Sequence, residues 1–90
     1  MGTVIVKIKI MPVSLETDIK KIEEEIKEVL IKNKVGSFKF EIQPIAFGLN
    51  AIILIFGWPE EKELERFEGA LKKTHGVGSV SVLDMRRAIG

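Results

Sequence analysis

Residue types that carry out enzymatic chemistry are scarce in this sequence of 90 residues. Cysteine is absent, so the chain has no thiol nucleophile, no disulfide and no thiolate ligand for a metal. The one histidine, His75, follows Lys72 and Lys73 at the expected end of a helix, where a positive charge interacts favourably with the helix dipole. The sequence also has no GxxxxGKS/T phosphate loop and no HExxH zinc motif. We therefore predict no catalytic, metal-binding or cofactor-binding residue, and a protein that is not an enzyme.

The segment PIAFGLN, residues 44–50, places a phenylalanine where the chain is expected to turn. Turn residues are usually polar or small, because the backbone there faces water. An apolar ring at Phe47 therefore needs a partner. Either it folds back over the sheet as a plug for the hairpin, or it meets another molecule, and the residues alone leave both interpretations open.

Composition predicts one compact domain over residues 1–90. The chain is 46% hydrophobic and 30% charged, which is typical of a sequence that builds a single core. Its 14 basic and 13 acidic residues give a net charge of +1, far from the balance of a domain that neutralises nucleic-acid phosphates. The apolar N-terminal run is interrupted by Lys7 and Lys9, which favours a strand over a signal peptide or membrane span. We expect a cytoplasmic protein that binds neither nucleic acid nor membrane.

Hydrophobic periodicity predicts a strand and then a helix at the start of the chain. Apolar and polar residues alternate from Thr3 to Ile10, which is the period of a half-buried strand, and Met11-Pro12 is expected to end it. Thr17 or Asp18 can cap the helix that follows. Its apolar positions recur every three or four residues, at Ile19, Ile22, Ile26, Val29 and Leu30.

Two strands and a second helix are predicted next. Apolar residues alternate with polar ones from Phe38 to Pro44, and the apolar run AIILIF at 51–56 is too short for a helix. Trp58-Pro59 is expected to close that strand, with Pro59 in the first turn of the second helix. The buried stripe of this helix is Leu64, Phe67, Ala70 and Leu71, and Gly76 is expected to terminate it.

A last strand is predicted from Gly78 to Met85, which completes the order β-α-β-β-α-β. This order predicts an α+β ferredoxin-like sandwich, a four-stranded antiparallel sheet with two helices on one face and the first and third strands central. The other face is expected to be partly open to water. Alternate residues of the 51–56 run would then form an exposed apolar patch that is available to a partner.

Proteins with such a fold have several functions, and the residues of this chain bear on three of them. An acylphosphatase-like hydrolase needs an arginine and an anion cradle near the first strand, but MPVSLETD follows that strand here. An RNA-binding domain stacks bases on aromatic residues of its central strands, and the first strand has none. A ferredoxin-like small-ligand binding or regulatory module remains the alternative, because its sites have weak sequence signatures.

Four segments, in this order, point to one family. The chain has a KIKIMP start, a Glu/Lys-rich first helix, the segment PIAFGLNAI and the closing segment DMRRAIG. Over essentially the whole chain these resemble archaeal-type translation elongation factor 1-beta, the exchange factor family of elongation factor 1-alpha. The resemblance implies a cofactor-free ferredoxin-like fold that docks on the GDP-bound or nucleotide-free GTPase. Docking would displace parts of the magnesium and GDP site, and so promote GDP release and GTP rebinding.

The resemblance also implies which residues bind the partner. The family's P-I-A/G-F-G motif corresponds here to five residues: Pro44, Ile45, Ala46, Phe47 and Gly48. In the family the phenylalanine docks on the GTPase. Phe47 would then be exposed in the free protein, because its pocket lies on another molecule. Gly48 would permit a backbone conformation that a side chain hinders.

The C-terminal segment departs from the eukaryotic relatives, which end in a lysine that reaches into the magnesium site. No lysine follows Lys73 in this sequence. Arg86 or Arg87 is our candidate for the positive charge, since a guanidinium pairs with carboxylates and phosphates, although its shape and hydration differ from those of an ammonium. A polar chain end or a contact at the rim of the interface is the alternative role for both arginines.

Overall fold

The computed structural model describes residues 2–88 and contains the predicted elements in the predicted order. They are β1 (Thr3–Pro12), α1 (Ile19–Lys32), β2 (Phe38–Pro44), β3 (Asn50–Pro59), α2 (Glu65–Lys72) and β4 (Val77–Arg87), with a short 3₁₀ turn at Ala46–Gly48 between β2 and β3. The strands form one sheet in the order β2-β3-β1-β4, and all neighbours are antiparallel. The first and third strands are therefore central, and the ferredoxin-like prediction is confirmed.

The core lies between one face of the sheet and the two helices. β1 alternates as predicted, the apolar run of β3 is buried over Ala51–Leu54, and the helices bury residues three and four positions apart. The core residues include Val6, Ile8, Ile10, Ile22, Ile26, Leu30, Ile52, Leu54, Phe56, Trp58, Phe67 and Leu71. Each such side chain contributes about 1.5–3 kcal/mol when it leaves water. Phe56, Trp58 and Phe67 pack with ring centroids 5.0–5.9 Å apart and tie β3 to α2.

β1 ends at Pro12, as predicted, and Met11 and Pro12 are the last residues of the strand. Both still pair with β4, and Pro12 lies opposite Val77. Asp18 is the N-cap of α1, since its Oδ1 accepts hydrogen bonds from the backbone N–H of Lys20 (3.1 Å) and Lys21 (3.4 Å). Of the two predicted caps, Asp18 is therefore the one that the helix uses.

The start of α2 was predicted too early. Pro59 is the last residue of β3 and pairs with Thr3, and α2 begins only at Glu65. A turn intervenes, because Lys62 N–H donates to the Pro59 carbonyl (3.1 Å) and the buried Trp58 donates its Nε1–H to the Lys62 carbonyl (2.9 Å). Proline has no backbone N–H to donate to a neighbouring strand, and the end of a strand tolerates the missing hydrogen bond.

A β-bulge interrupts the predicted alternation of β4. Ile8 of β1 lies opposite Val82, and the preceding Lys7 lies opposite Asp84, so Leu83 is an extra residue. The bulge changes which residues share a face. Val80, Val82, Met85 and Arg87 lie opposite the helix-facing residues of β1, whereas Asp84 and Arg86 lie opposite Lys7 and Ile5 on the other face.

The helix-free face of the sheet does not carry the apolar patch that we predicted from residues 51–56. Ala51 and Ile53 are buried, and Ile55 is half-buried. Ile53 lies between Lys9 and Glu41 in the ladder, and Ile55 lies between Lys7 and Lys39. The aliphatic stems of such long side chains cover apolar neighbours while their charges stay in water. No helix in the described part of the chain is long and apolar enough to cross a membrane.

Gly78 is a site where we predict that a methyl group destabilises the fold. A Cβ at this position would lie 3.0 Å from the Pro12 carbonyl oxygen and 3.1 Å from Val13 Cα, which are backbone atoms that cannot move without disturbing the ladder. We expect Gly78→Ala to cost about 1–3 kcal/mol and to lower the melting temperature by roughly 4–8 °C per kcal/mol. Thermal unfolding followed by circular dichroism measures this.

Gly36→Ala is the matched control, because nothing lies within 4 Å of the position that its Cβ would take. We expect the melting temperature of this variant to be unchanged or slightly raised. Equal melting temperatures for the two variants would contradict the close approach at Gly78.

Candidate functional site

Phe47 lies at the tip of the loop that joins β2 to β3. The ladder ends at the pair formed by Pro44 and Asn50, and beyond it Ile45 N–H donates to the Leu49 carbonyl (2.6 Å). The chain reverses over only three residues, Ala46–Gly48. Phe47 has φ 64° and ψ 28°, and Gly48 has φ 78°, so both adopt the left-handed conformation. For a residue that is not glycine this costs on the order of 1–3 kcal/mol.

The ring of Phe47 is 91% exposed and does not cover the sheet. The plug interpretation is therefore wrong. Ile45 and Leu49 are half-buried and hold the loop to the sheet, whereas Pro44, Ala46 and Gly48 are exposed. The loop thus exposes an apolar ring to water and holds it there with a left-handed backbone conformation. Both features are unfavourable in the free chain, and functional sites are where such strain concentrates.

Arg86 and Arg87 are consecutive residues at the end of β4 and therefore lie on opposite faces of the sheet, and the bulge at Leu83 decides which face each one takes. Arg86 donates its Nε–H to Asp84 (2.8 Å), and Arg87 donates to Glu60. The two arginine side chains are 80% and 75% exposed. Ion pairs this open to water are weak, so either guanidinium can exchange its carboxylate for another anion. Ile89 and Gly90 of the DMRRAIG segment lie outside the described residues.

The structure divides the predicted partner-binding residues into two groups at opposite ends of the sheet. The Phe47 loop lies beyond the pair formed by Ile10 and Ile52, whereas Arg86 lies opposite Ile5. The ladder from Ile5 to Ile10 alone spans about 17 Å at roughly 3.3 Å per residue. No single pocket can therefore hold both groups, and a partner that contacts both must extend along the sheet.

Sequence reasoning missed two apolar residues in the loop between β1 and α1, Val13 and Leu15. They are 67% and 63% exposed and lie at the same end of the sheet as Phe47. The signal was present, since MPVSLETD places two apolar side chains among turn-forming residues, as PIAFGLN does with its phenylalanine. Val13 also lines a cleft of about 300 Å³ together with Ile22 and the exposed His75. Across residues 2–88, no three His, Asp or Glu side chains are grouped so as to hold a metal ion.

The fold and its exposed loop define a small ferredoxin-like α+β protein, and comparison with known proteins specifies its family. Residues 5–88 match the EF-1 guanine nucleotide exchange domain. The chain is 42% identical over 89 residues to elongation factor 1-beta of Methanocaldococcus jannaschii, covering 98% of this chain and 100% of the relative. It is 37% identical over 86 residues to elongation factor 1-beta of Archaeoglobus fulgidus, covering 94% and 97%. The chain belongs to the EF-1 guanine nucleotide exchange domain family.

This membership confirms the resemblance found in the sequence and indicates a nucleotide exchange role in translation elongation. It favours an exchange factor over the small-ligand module that the residues had left open. Exchange on a GTPase requires contact with that GTPase, so the family also implies a protein partner. None of the matches assigns a role to an individual residue of this chain.

The exposed position of Phe47 predicts that replacing it does not destabilise the fold. Asparagine tolerates the left-handed conformation better than phenylalanine, and the ring makes no core contact that would be lost. We expect Phe47→Asn to leave the melting temperature unchanged or to raise it by a few degrees. This corresponds to a gain of about 1 kcal/mol at most in the free energy of unfolding. Phe40→Asn is the control, because Phe40 packs against the core, and it should lower the melting temperature. A large fall in the melting temperature of Phe47→Asn would show instead that the ring packs on its own chain.

Proposed function

We propose that this protein promotes the release of GDP from elongation factor 1-alpha and the rebinding of GTP during protein synthesis in the cytoplasm. The observation that carries the proposal is the match of residues 5–88 to the exchange domain. In the proposal the protein binds the GDP-bound and the nucleotide-free GTPase and carries out no covalent chemistry of its own. It requires no cofactor, since the work is done by the protein interface.

Phe47 is the proposed anchor of that interface. Its ring is 91% exposed on a short loop, and aromatic side chains that fill a partner's pocket dominate many interfaces. Pro44, Ile45, Ala46 and Gly48 set the shape of the loop, and the half-buried Ile45 fixes it to the sheet. Because the loop is already in place, docking loses little conformational entropy.

Arg86 and Arg87 are the proposed contacts at the other end of the sheet. Each guanidinium can leave its exposed carboxylate partner, Asp84 or Glu60, for a carboxylate or phosphate at the nucleotide site. The two arginines are unequal, because neighbouring strand residues lie on opposite faces and the bulge at Leu83 places Arg87 opposite Val4 and Arg86 opposite Ile5. A partner that meets one face therefore engages one arginine directly.

The exchange itself follows from thermodynamic linkage. If the protein binds the nucleotide-free GTPase more tightly than the GDP-bound form, GDP must bind the complex more weakly by the same ratio. Each tenfold loosening requires about 1.4 kcal/mol of differential interaction. Movement of the GTPase segment that holds magnesium removes charge stabilisation from the diphosphate. A small displacement of this segment therefore weakens GDP binding by several factors of ten. The excess of GTP in the cell then decides which nucleotide rebinds.

The release of fluorescent GDP from elongation factor 1-alpha tests the proposal. We expect the parent protein to accelerate release, and Phe47→Ala to lose at least tenfold of that acceleration, because truncation of an interface anchor costs 2 kcal/mol or more (about thirtyfold) in typical cases. Ile31→Ala is the matched control, since Ile31 is 69% exposed but lies on α1. It should behave as the parent.

The outcomes separate two parts of the proposal. A parent protein that does not accelerate GDP release would refute the exchange function. Acceleration that survives in Phe47→Ala would leave the function standing and remove Phe47 as its anchor.

A further inference from the structure

The large apolar side chains that are more than 60% exposed are not spread evenly over residues 2–88. There are four of them, and three lie at one end of the sheet: Val13 (67%), Leu15 (63%) and Phe47 (91%). Ile31 (69%) is the other, and it lies near the far end of α1. Single exposed apolar residues are ordinary on protein surfaces, but a group of them at one place marks a contact surface. We call Val13, Leu15 and Phe47 the apolar tip.

Hydrogen bonds hold the β1–α1 loop in the conformation that exposes Val13 and Leu15. Val13 N–H donates to the Gly76 carbonyl (2.9 Å), which ties the loop to the start of β4. Ser14 N–H donates to Thr17 Oγ1 (3.2 Å), and Thr17 N–H donates back to the Ser14 carbonyl (3.3 Å). The loop is therefore a closed turn, and the outward position of its two apolar side chains is built into the fold.

The two loops of the apolar tip touch each other. Leu15 Cδ2 lies 3.7 Å from the position that a Cβ on Gly48 would occupy, so the Leu15 side chain packs beside the residue that follows Phe47. A small cavity of about 30 Å³ between the loops is lined by Pro12, Leu15, Gly48 and Leu49. Leu15 thus lies next to the loop that carries Phe47.

Charge around the apolar tip indicates the chemistry of its partner. The neighbouring cleft, beside Val13, carries the carboxylates of Glu16, Asp18 and Glu25, one ammonium, Lys21, and the imidazole of His75. An apolar surface with an acidic edge complements an apolar pocket with a basic edge, and such complementarity directs both association and orientation.

We propose that Val13 and Leu15 form, with Phe47, one docking surface for the same GTPase, and that this surface enters an apolar depression edged by basic side chains. The inference rests on the proposed function and extends it, because the P-I-A/G-F-G segment alone would give the interface a single aromatic anchor. Leu15 has two possible effects, direct contact with the partner and support of the Phe47 loop, and the test must separate them.

A double-mutant cycle separates contact from support. The dissociation constant for nucleotide-free elongation factor 1-alpha is measured for the parent, Leu15→Ser, Phe47→Ala and the double variant, with the melting temperature of each as a check on folding. We expect Leu15→Ser to weaken binding about tenfold, both in the parent and in the Phe47→Ala background. Ile31→Ser, equally exposed but outside the tip, should change binding less than twofold.

Several results would overturn the inference. Binding that is unchanged by Leu15→Ser would remove it, and so would a loss that disappears in the Phe47→Ala background, since Leu15 would then act only through the loop. Val13→Ser provides the same readout if Leu15→Ser does not fold. Glu16→Lys is expected to weaken binding at low salt, and tighter binding would contradict the basic edge. A parent protein that binds the GTPase but does not accelerate GDP release would instead refute the proposed function.

Discussion

The pairing of β1 with both of its neighbours is the constraint on which the rest of the structure depends. β1 pairs with β3 over eight residues and with β4 over nine, and its inward side chains Val6, Ile8 and Ile10 are completely buried. A one-residue slip would turn these side chains to water, so the register is strongly specified. Because the register is fixed, the loops at both ends of the sheet are fixed as well. The sheet therefore holds the Phe47 loop and the two arginines at its opposite ends and at a fixed separation.

In the proposed function, this fixed geometry is what lets a small exchange domain act on a GTPase through its surface alone. The Phe47 loop is closed by the hydrogen bond from Ile45 N–H to the Leu49 carbonyl, and the β1–α1 loop is tied to the Gly76 carbonyl just before β4. Their apolar side chains are therefore positioned before docking. The free protein bears the cost of an exposed ring and a left-handed residue at Phe47, which a partner can offset by burying the ring. At the other end of the sheet, Arg86 and Arg87 form exposed, weak ion pairs in which another anion can replace the carboxylate. In the proposed mechanism Phe47 anchors the GTPase at one end of the sheet while an arginine contacts the nucleotide site at the other end.

Much of the fold could be predicted because it depends on periodicity, and periodicity is local. The alternation in β1, the apolar run at 51–56 and the helical stripe that contains Ile22 and Ile26 all lie where the pattern placed them. The errors arose where a distant contact overrides the local pattern. Trp58 reaches the Lys62 carbonyl and delays α2, the extra residue Leu83 is visible only against β1, and Ile53 is covered by neighbours on two other strands. The PIAFG segment was found from its sequence and the resemblance implied that Phe47 is exposed, but the residues alone left the hairpin plug open, and its rejection and the proximity of Leu15 required the structure.

The measurement that tests the central claim most directly is a cross-saturation experiment on the complex. Nucleotide-free, protonated elongation factor 1-alpha is irradiated, and the loss of signal is read on the amides of the deuterated, isotope-labelled protein. If the rigid sheet presents a contact surface at each end, signal loss occurs at residues 45–49 and at residues 84–88, and the exposed positions Lys20, Glu24 and Lys27 of α1 keep their intensity. Signal loss on the outer face of α1, with both ends of the sheet unaffected, would contradict the account.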